Sequence, residues 1–174
     1  VNPTHVSLSS NIVAITSPFN FSWGNVTVYE YNGSSWIQKG QNLFNDEDFG
    51  FGFGLSLSDN GNTLAVGAPS ARITRIYIFN GTQWILKGSP ISLLLDSNSG
   101  QSIDLSSDGN FIVIGSSGRV RVFQWVVPVW IQLGQPIDGL QSQSGSYVSI
   151  SANGNTIVSG TPISIDSSNG NFRV

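Results

Sequence analysis

An all-β fold is what this sequence predicts, on three observations. Helix formers are scarce while Gly, Ser, Asn, Val and Ile abound, with 20 glycines and only 10% charged residues. One pattern of alternating apolar and small polar residues recurs four times along the 174 residues. Asn-Gly or Asp-Gly steps mark five of its tight chain reversals.

The first element of each copy reads "HVSLSS", "GLSLSD", "SIDLSS" and "YVSISA", beginning at His5, Gly54, Ser102 and Tyr147. Val6 and Leu8, Leu55 and Leu57, Ile103 and Leu105, and Val148 and Ile150 alternate with polar neighbours, as a half-buried strand requires. The second elements, "NIVAITSP", "GNTLAVGAP", "GNFIVIGSS" and "GNTIVSGTP", follow turns such as "DNGN", "SDGN" and "ANGN". Asn-Gly and Asp-Gly steps favour the positive φ of tight hairpins. The third elements are "NVTVYEYNG", "RIYIFNG", "RVRVFQW" and "NFRV". Three copies close with "SWIQKG", "QWILKG" and "VWIQLG", which place Trp36, Trp84 and Trp130 at one repeat position.

Each unit therefore reads as a four-stranded antiparallel meander with a period of roughly 45 to 49 residues. Such a unit cannot bury both faces alone, and radial stacking is the usual solution, so the expected fold is a β-propeller. A two-sheet sandwich or a linear β-array is the alternative. The span forms a single repeat domain with blades at about 5–49, 50–100, 101–145 and 146–174, the last lacking its outer strand. An unpaired edge is a template for another chain, so a longer propeller, an unplaced strand or a strand supplied by a neighbouring copy would each complete it.

"FGFGLSLSDNGNTLAVGAP" resembles the FG-GAP repeats of integrin α-chain propellers and their microbial extracellular relatives, with Phe53-Gly54 opening and Gly67-Ala68-Pro69 closing the unit. The other copies are degenerate, reading "ITSP", "IGSS" and "SGTP" at the close. The resemblance implies an extracellular or cell-surface structural or adhesive module whose partners are proteins or glycans. Calcium-binding members carry an aspartate-rich loop between the first two strands, whereas here that turn holds at most one acid, Asp59 or Asp108. Calcium takes six to eight oxygen ligands, so neither a metal nor another cofactor is expected.

Strand counting puts the tight turns at one end of the blades and the longer connections, "FNFSWG", "SARITR", "QNLFNDEDFG", "SPISLLLDSNSG" and "QPIDGLQSQSG", at the other. Loops on a rigid scaffold carry recognition, which marks Asp46, Glu47, Asp48, Arg72, Asp96 and Asp138 as a candidate recognition face. The bland reading of the same residues is solvated loop charge. The recurring tryptophans read as blade-packing groups. Trp23 and Trp125 depart from the repeat and are candidate exposed contacts for a glycan, the alternative function.

Catalysis lacks a constellation. The single His5 has no recurring nucleophile or carboxylate around it. Asp46, Glu47 and Asp48 are adjacent loop acids, whereas glycoside hydrolysis needs two carboxylates roughly 5 to 10 Å apart across the bond. Sequons occur at Asn20, Asn25, Asn32 and Asn80, about the number chance allows, with Asn32 and Asn80 on predicted hairpin tips where a glycan would be accessible. A net charge of −3 with scattered Lys and Arg argues against nucleic acid, and no apolar run reaches the length of a membrane-spanning helix. Absent cysteines exclude disulfides and thiolate metal sites.

Overall fold

A computed structural model of the chain describes residues 5–17, 24–45, 50–139, 145–160 and 172–173. Its described residues contain seventeen strands and no helix, arranged in four antiparallel sheets that follow the repeat. Blade 1 comprises β1 (Val6–Ser9), β2 (Ile12–Ser17), β3 (Asn25–Tyr31), β4 (Trp36–Gln38) and β5 (Leu43–Phe44). In blade 2 are β6 (Gly54–Leu57), β7 (Thr63–Ala68), β8 (Ile73–Phe79), β9 (Trp84–Leu86) and β10 (Ile91–Ser92). Blade 3 has β11 (Ser102–Leu105), β12 (Phe111–Ser116), β13 (Arg119–Val126) and β14 (Val129–Asp138). Blade 4 shows β15 (Tyr147–Ile150), β16 (Ile157–Gly160) and β17 (Phe172–Arg173), three strands among the described residues. These are propeller blades, each an up-and-down meander running from inner to outer strand.

Apolar alternation decides where the core lies. In β7, Leu64 and Val66 join a buried cluster with Ile12, Ala14, Val26 and Val28 of blade 1, while Ala65 joins Ile103, Leu105, Ile112 and Ile114 of blade 3. A smaller cluster of Val113, Val120 and Ile150 links blades 3 and 4. The sheets of blades 2 and 3 thus each lie between two neighbours, which is why β7 is buried along its whole length.

The outer strand is longer than the pattern predicts. Lys39 and Lys87 donate their amides to the carbonyls of Val28 and Ile76 at 2.8 Å, and Gly40 and Gly88 then turn through positive φ of 76° and 79°. Pairing resumes beyond them: Leu43 lies opposite Val26 and Ile91 opposite Thr74. In blade 3 the same device is a bulge at Gly134, with pairing shifted between Val120 and Val122 and β14 continuing to Asp138. Stretches expected to be inter-blade loops therefore begin as strand, because a glycine outside the helical and extended regions breaks the alternation without ending the sheet.

The turns also differ in detail. Between β6 and β7 only Gly61 has positive φ; Ser58 donates its amide to Thr63 and Gly61 to Ser58, closing a four-residue loop rather than a two-residue one. Ser58, Ser106 and Ser151 each donate a hydroxyl to the loop Asn60, Asp108 or Asn153, and their oxygens accept the amides of Thr63, Phe111 and Thr156. The connection from β12 to β13, expected to be long, is only Ser117-Gly118.

Candidate functional site

Two constructions organise the chemistry: the seams between blades and a cleft where the inner strands begin. Along the seams a polar ladder links inner strands. The hydroxyl oxygen of Ser7 accepts the amide of Leu57 at 3.0 Å, that of Ser56 accepts Leu105 at 3.0 Å, and the carboxylate of Asp104 accepts Ile150 at 2.9 Å. These three acceptors occupy one repeat position, the polar residue between the two apolar ones. Asp104 also accepts the hydroxyls of Ser56 and Ser149, so one carboxylate joins three blades.

Farther out, tryptophan marks the seam. Trp84 is 2% exposed and donates its indole N–H to the Lys39 carbonyl at 2.8 Å; Trp130 does the same to Lys87 at 2.8 Å. Each meets an aromatic partner on its own blade, Phe79 or Trp125, with ring centroids 5.3 and 5.4 Å apart. Tyr31 and Trp36 form the equivalent pair in blade 1. Trp125 therefore holds the repeat position of Tyr31 and Phe79, and its reading as a residue outside the repeat and free for contact is corrected. Half-buried, it packs where Gly88 turns, and a side chain at Gly88 would collide with its ring.

Lys87, buried at the same seam, went unnoticed in the sequence. Its Nζ donates to the Gly109 carbonyl at 2.7 Å and to Asn110 Oδ1 at 2.9 Å, and lies over both Trp125 and Trp130. Burial lowers its pKa, partly opposed by the Asp108 carboxylate.

The proposed recognition face is partly dismantled by these seams. Asp96 is buried and forms a forked pair with Arg121, Nε to Oδ2 at 2.5 Å, with Arg119 at 3.1 Å on the other oxygen. Burial pushes its carboxyl up, but the hydrogen bonds and charges of Arg121 and Arg119 outweigh that and hold it below the usual carboxylate range. Asp138 lies in β14 and accepts Arg119 Nε at 2.6 Å. Arg72, at positive φ, donates to the Leu94 carbonyl. Asp96 ties its connection to β13, Arg72 ties one connection to another, and Asp138 braces the pairing of β13 with β14. Asp46, Glu47, Asp48, Asn20 and Trp23 lie outside the described residues.

Of the remaining sequons, Asn25 is half-buried in β3 with its Oδ1 sealed from solvent, a poor glycan acceptor. Asn32 and Asn80 sit exposed at hairpin tips. The Oδ1 of each accepts the amide and hydroxyl of the residue two positions on, Ser34 or Thr82, at 3.0 Å. At the short turns, Asp108 accepts Ser106 and Asn110, and Asp59 accepts the Ser107 hydroxyl of the next blade, so both carboxylates already serve the fold. Among the described residues no group of three or more His, Asp or Glu could hold a metal ion.

At the starts of the inner strands lies an open cleft of about 440 Å³, lined by His5, Phe53, Gln101, Ser102, Ser146 and Tyr147 among others. All four blades line it, through the first residues of β6, β11 and β15 or the residues just before an inner strand, such as His5 before β1. His5 packs on Phe53 with centroids 4.8 Å apart and is fixed by Thr16, whose hydroxyl oxygen accepts the His5 amide at 2.9 Å. Burial lowers the His5 pKa, which favours the neutral imidazole, and its Nε2 has no partner among the described residues. Aromatic faces beside an amide and hydroxyls suit an uncharged polar ligand with an apolar side.

No protein-family model and no curated protein matches the sequence. Solved structures do. The hydrazine synthase of Kuenenia stuttgartiensis aligns over 98% of this chain and 45% of its own, with TM-score 0.66 and 16% identity. A putative 6-phosphogluconolactonase from Bacteroides uniformis aligns over 97% of this chain and 54% of its own, with TM-score 0.61 and 15% identity. The chain spans about half the length of these proteins, and at such identity the likeness is one of fold alone.

Proposed function

We propose that this chain is a structural or adhesive repeat module of the cell exterior, a stiff row of blades presenting its long-loop end to protein or glycan partners. The observation that carries this reading is where the strongest polar groups are spent. Asp96, Asp104, Lys87, Arg119 and Arg121 join one blade or connection to another. A rigid scaffold leaves recognition to what its ends display. Exposed hairpin-tip sequons at Asn32 and Asn80 fit a secretory route. Expression in secreting eukaryotic cells tests this: a glycosidase-sensitive mass shift lost only in the Asn32→Gln/Asn80→Gln double variant supports it, and secretion without any shift removes that support.

A second reading, glycan binding, is favoured by the cleft. Phe53 and Tyr147 offer exposed rings, and Gln101 and Ser102 line the same space. A glycan array followed by titration decides it: binding lost in Tyr147→Ala and Phe53→Ala but kept in Trp125→Phe supports the cleft, and no glycan retained leaves the scaffold reading alone.

A further inference from the structure

The seam between blades 2 and 3 sets a lysine, a carboxamide and a carboxylate in line. Lys87 is only 8% exposed. Its Nζ donates to Asn110 Oδ1 at 2.9 Å and to the Gly109 carbonyl at 2.7 Å, with the rings of Trp125 and Trp130 beside it. On its far side the Asn110 carboxamide donates from Nδ2 to Asp108 Oδ2 at 2.9 Å, while Asp108 Oδ1 accepts the Ser106 hydroxyl and the Asn110 amide. These contacts fix which way the carboxamide faces, since the amino group needs its oxygen and the carboxylate its nitrogen. A primary amine thus sits at the carbonyl end of a carboxamide, and a carboxylate at the nitrogen end.

The other copies show that the repeat does not require this trio. At the seam between blades 1 and 2, Lys39 and Asn62 take the places of Lys87 and Asn110, but Asn60 replaces Asp108 and the Lys39 Nζ pairs with Glu30 at 3.1 Å. At the seam between blades 3 and 4, Leu133 replaces the lysine and Asn153 the aspartate. Asn60 and Asn153 close the same turn by accepting Ser58 and Ser151, so the turn itself does not call for an acid at position 108. Burial lowers the Lys87 pKa, against partial opposition from Asp108, and so favours the neutral, nucleophilic amine. At Asp108 burial pushes the carboxyl up, but the hydrogen bonds from Ser106 and Asn110 outweigh it and keep the group ionised, as a base must be.

We propose that Lys87 and Asn110 join through an isopeptide bond, Nζ to Cγ, which locks blade 2 to blade 3 covalently. Lys87 loses one proton to solvent, and its lone pair adds to Asn110 Cγ. Asp108 carries a second proton from Nζ to Nδ2 and the Cγ–Nδ2 bond breaks. Ammonia leaves on the side where Asp108 meets solvent and takes up the first proton as ammonium. A lysine ammonium and a carboxamide become an amide and a free ammonium ion, with no oxidant, reductant or further reactant. The fold supplies the step by holding both groups in contact, which replaces an encounter in solution.

Intact-mass spectrometry tests this on the folded chain, produced in bacteria and incubated at physiological temperature until its mass is constant. The expected mass lies one ammonia, about 17 Da, below that of the sequence. An aspartate-directed protease cuts at Asp96 and Asp104, between the two residues, and should still release the Lys87 and Asn110 peptides as one joined piece. Lys87→Arg and Asn110→Ala should restore the full mass. Asp108→Asn copies the residue of the other turns, and circular dichroism checks that it is folded. It should leave most chains unjoined when the unaltered chain has finished, a slowing of about a hundredfold or more. An unaltered chain at full mass overturns the proposal, as does an ammonia loss that survives in Lys87→Arg or maps to an Asn-Gly step such as Asn32-Gly33. An Asp108→Asn chain that joins as fast as the unaltered one removes Asp108 from the step.

Discussion

Replacing Trp84 and Trp36 in parallel separates what a residue is from where it sits. Both occupy the same repeat position, but Trp84 lies under blade 1 with its indole N–H on the Lys39 carbonyl, whereas Trp36 is half exposed. Truncating a buried Trp to Ala costs about 3–5 kcal/mol, within which the orphaned carbonyl accounts for about 1–3 kcal/mol. For Trp84→Ala about 4 kcal/mol is therefore expected. Trp84→Phe keeps most of the ring volume and loses the donor, so about 1–2 kcal/mol is expected. Trp36→Ala, which touches mainly Tyr31, should cost under about 1 kcal/mol. Urea unfolding followed by far-ultraviolet circular dichroism at low protein concentration reads all three. With a slope of about 2 kcal/mol per molar, Trp84→Ala should move the midpoint down by about 2 M and Trp36→Ala by less than about 0.5 M. Equal shifts for the two alanine variants would refute the assignment of Trp84 to a blade seam.

Three further outcomes are expected. Gly67→Ala and Gly115→Ala place a methyl 2.0 Å from the carbonyls of Gly100 and Gly145, so each should destabilise by more than about 2 kcal/mol in the same unfolding assay, against about 1 kcal/mol for an alanine at Gly134, where the space is open and only the positive φ of 64° is strained. Arg121→Ala leaves Asp96 buried with only Arg119, and a loss of about 3 kcal/mol is expected near neutral pH. Because the Asp96 carboxyl is held below its ordinary 3.8, its contribution is present above that pH and is lost as pH falls from there through the folded-state value. Asp96→Asn should therefore flatten the acid limb of a stability profile. His5 behaves oppositely in sign: with its pKa lowered from 6.5, the unfolded chain takes up the proton first. Thermal stability should fall as pH drops through 6.5 toward the folded-state value, and His5→Gln should remove that slope.

The inner strands were legible because Leu55 and Leu57, or Ile103 and Leu105, alternate without interruption and a glycine turn follows. The outer strand was not, because Gly40 and Gly88 look like strand ends and only the register shows Leu43 and Ile91 returning to the same sheet. Asp96 read as loop charge for a similar reason. Its partners are remote in sequence, although Arg119 and Arg121 in "RVRV" were a usable sign: two arginines at alternate strand positions share one face. Asp104 stood in the Ser position of the ladder, a departure visible in "SIDL" once the copies are aligned. The cleft left no pattern, since His5, Phe53 and Tyr147 each come from a different copy and match in placement, not in identity or strict register.

The seam is assembled from short backbone reaches, a serine or aspartate to an amide, an indole to a carbonyl, a glycine under a carbonyl. None of these depends on which blade comes next. Duplicating or deleting one whole unit of the gene would therefore join two surfaces that already match, whereas a cut within a unit would not. Evolution can lengthen or shorten such a protein by copying alone, and the variation that distinguishes one version from another is free to gather at the strand beginnings, where each copy already differs.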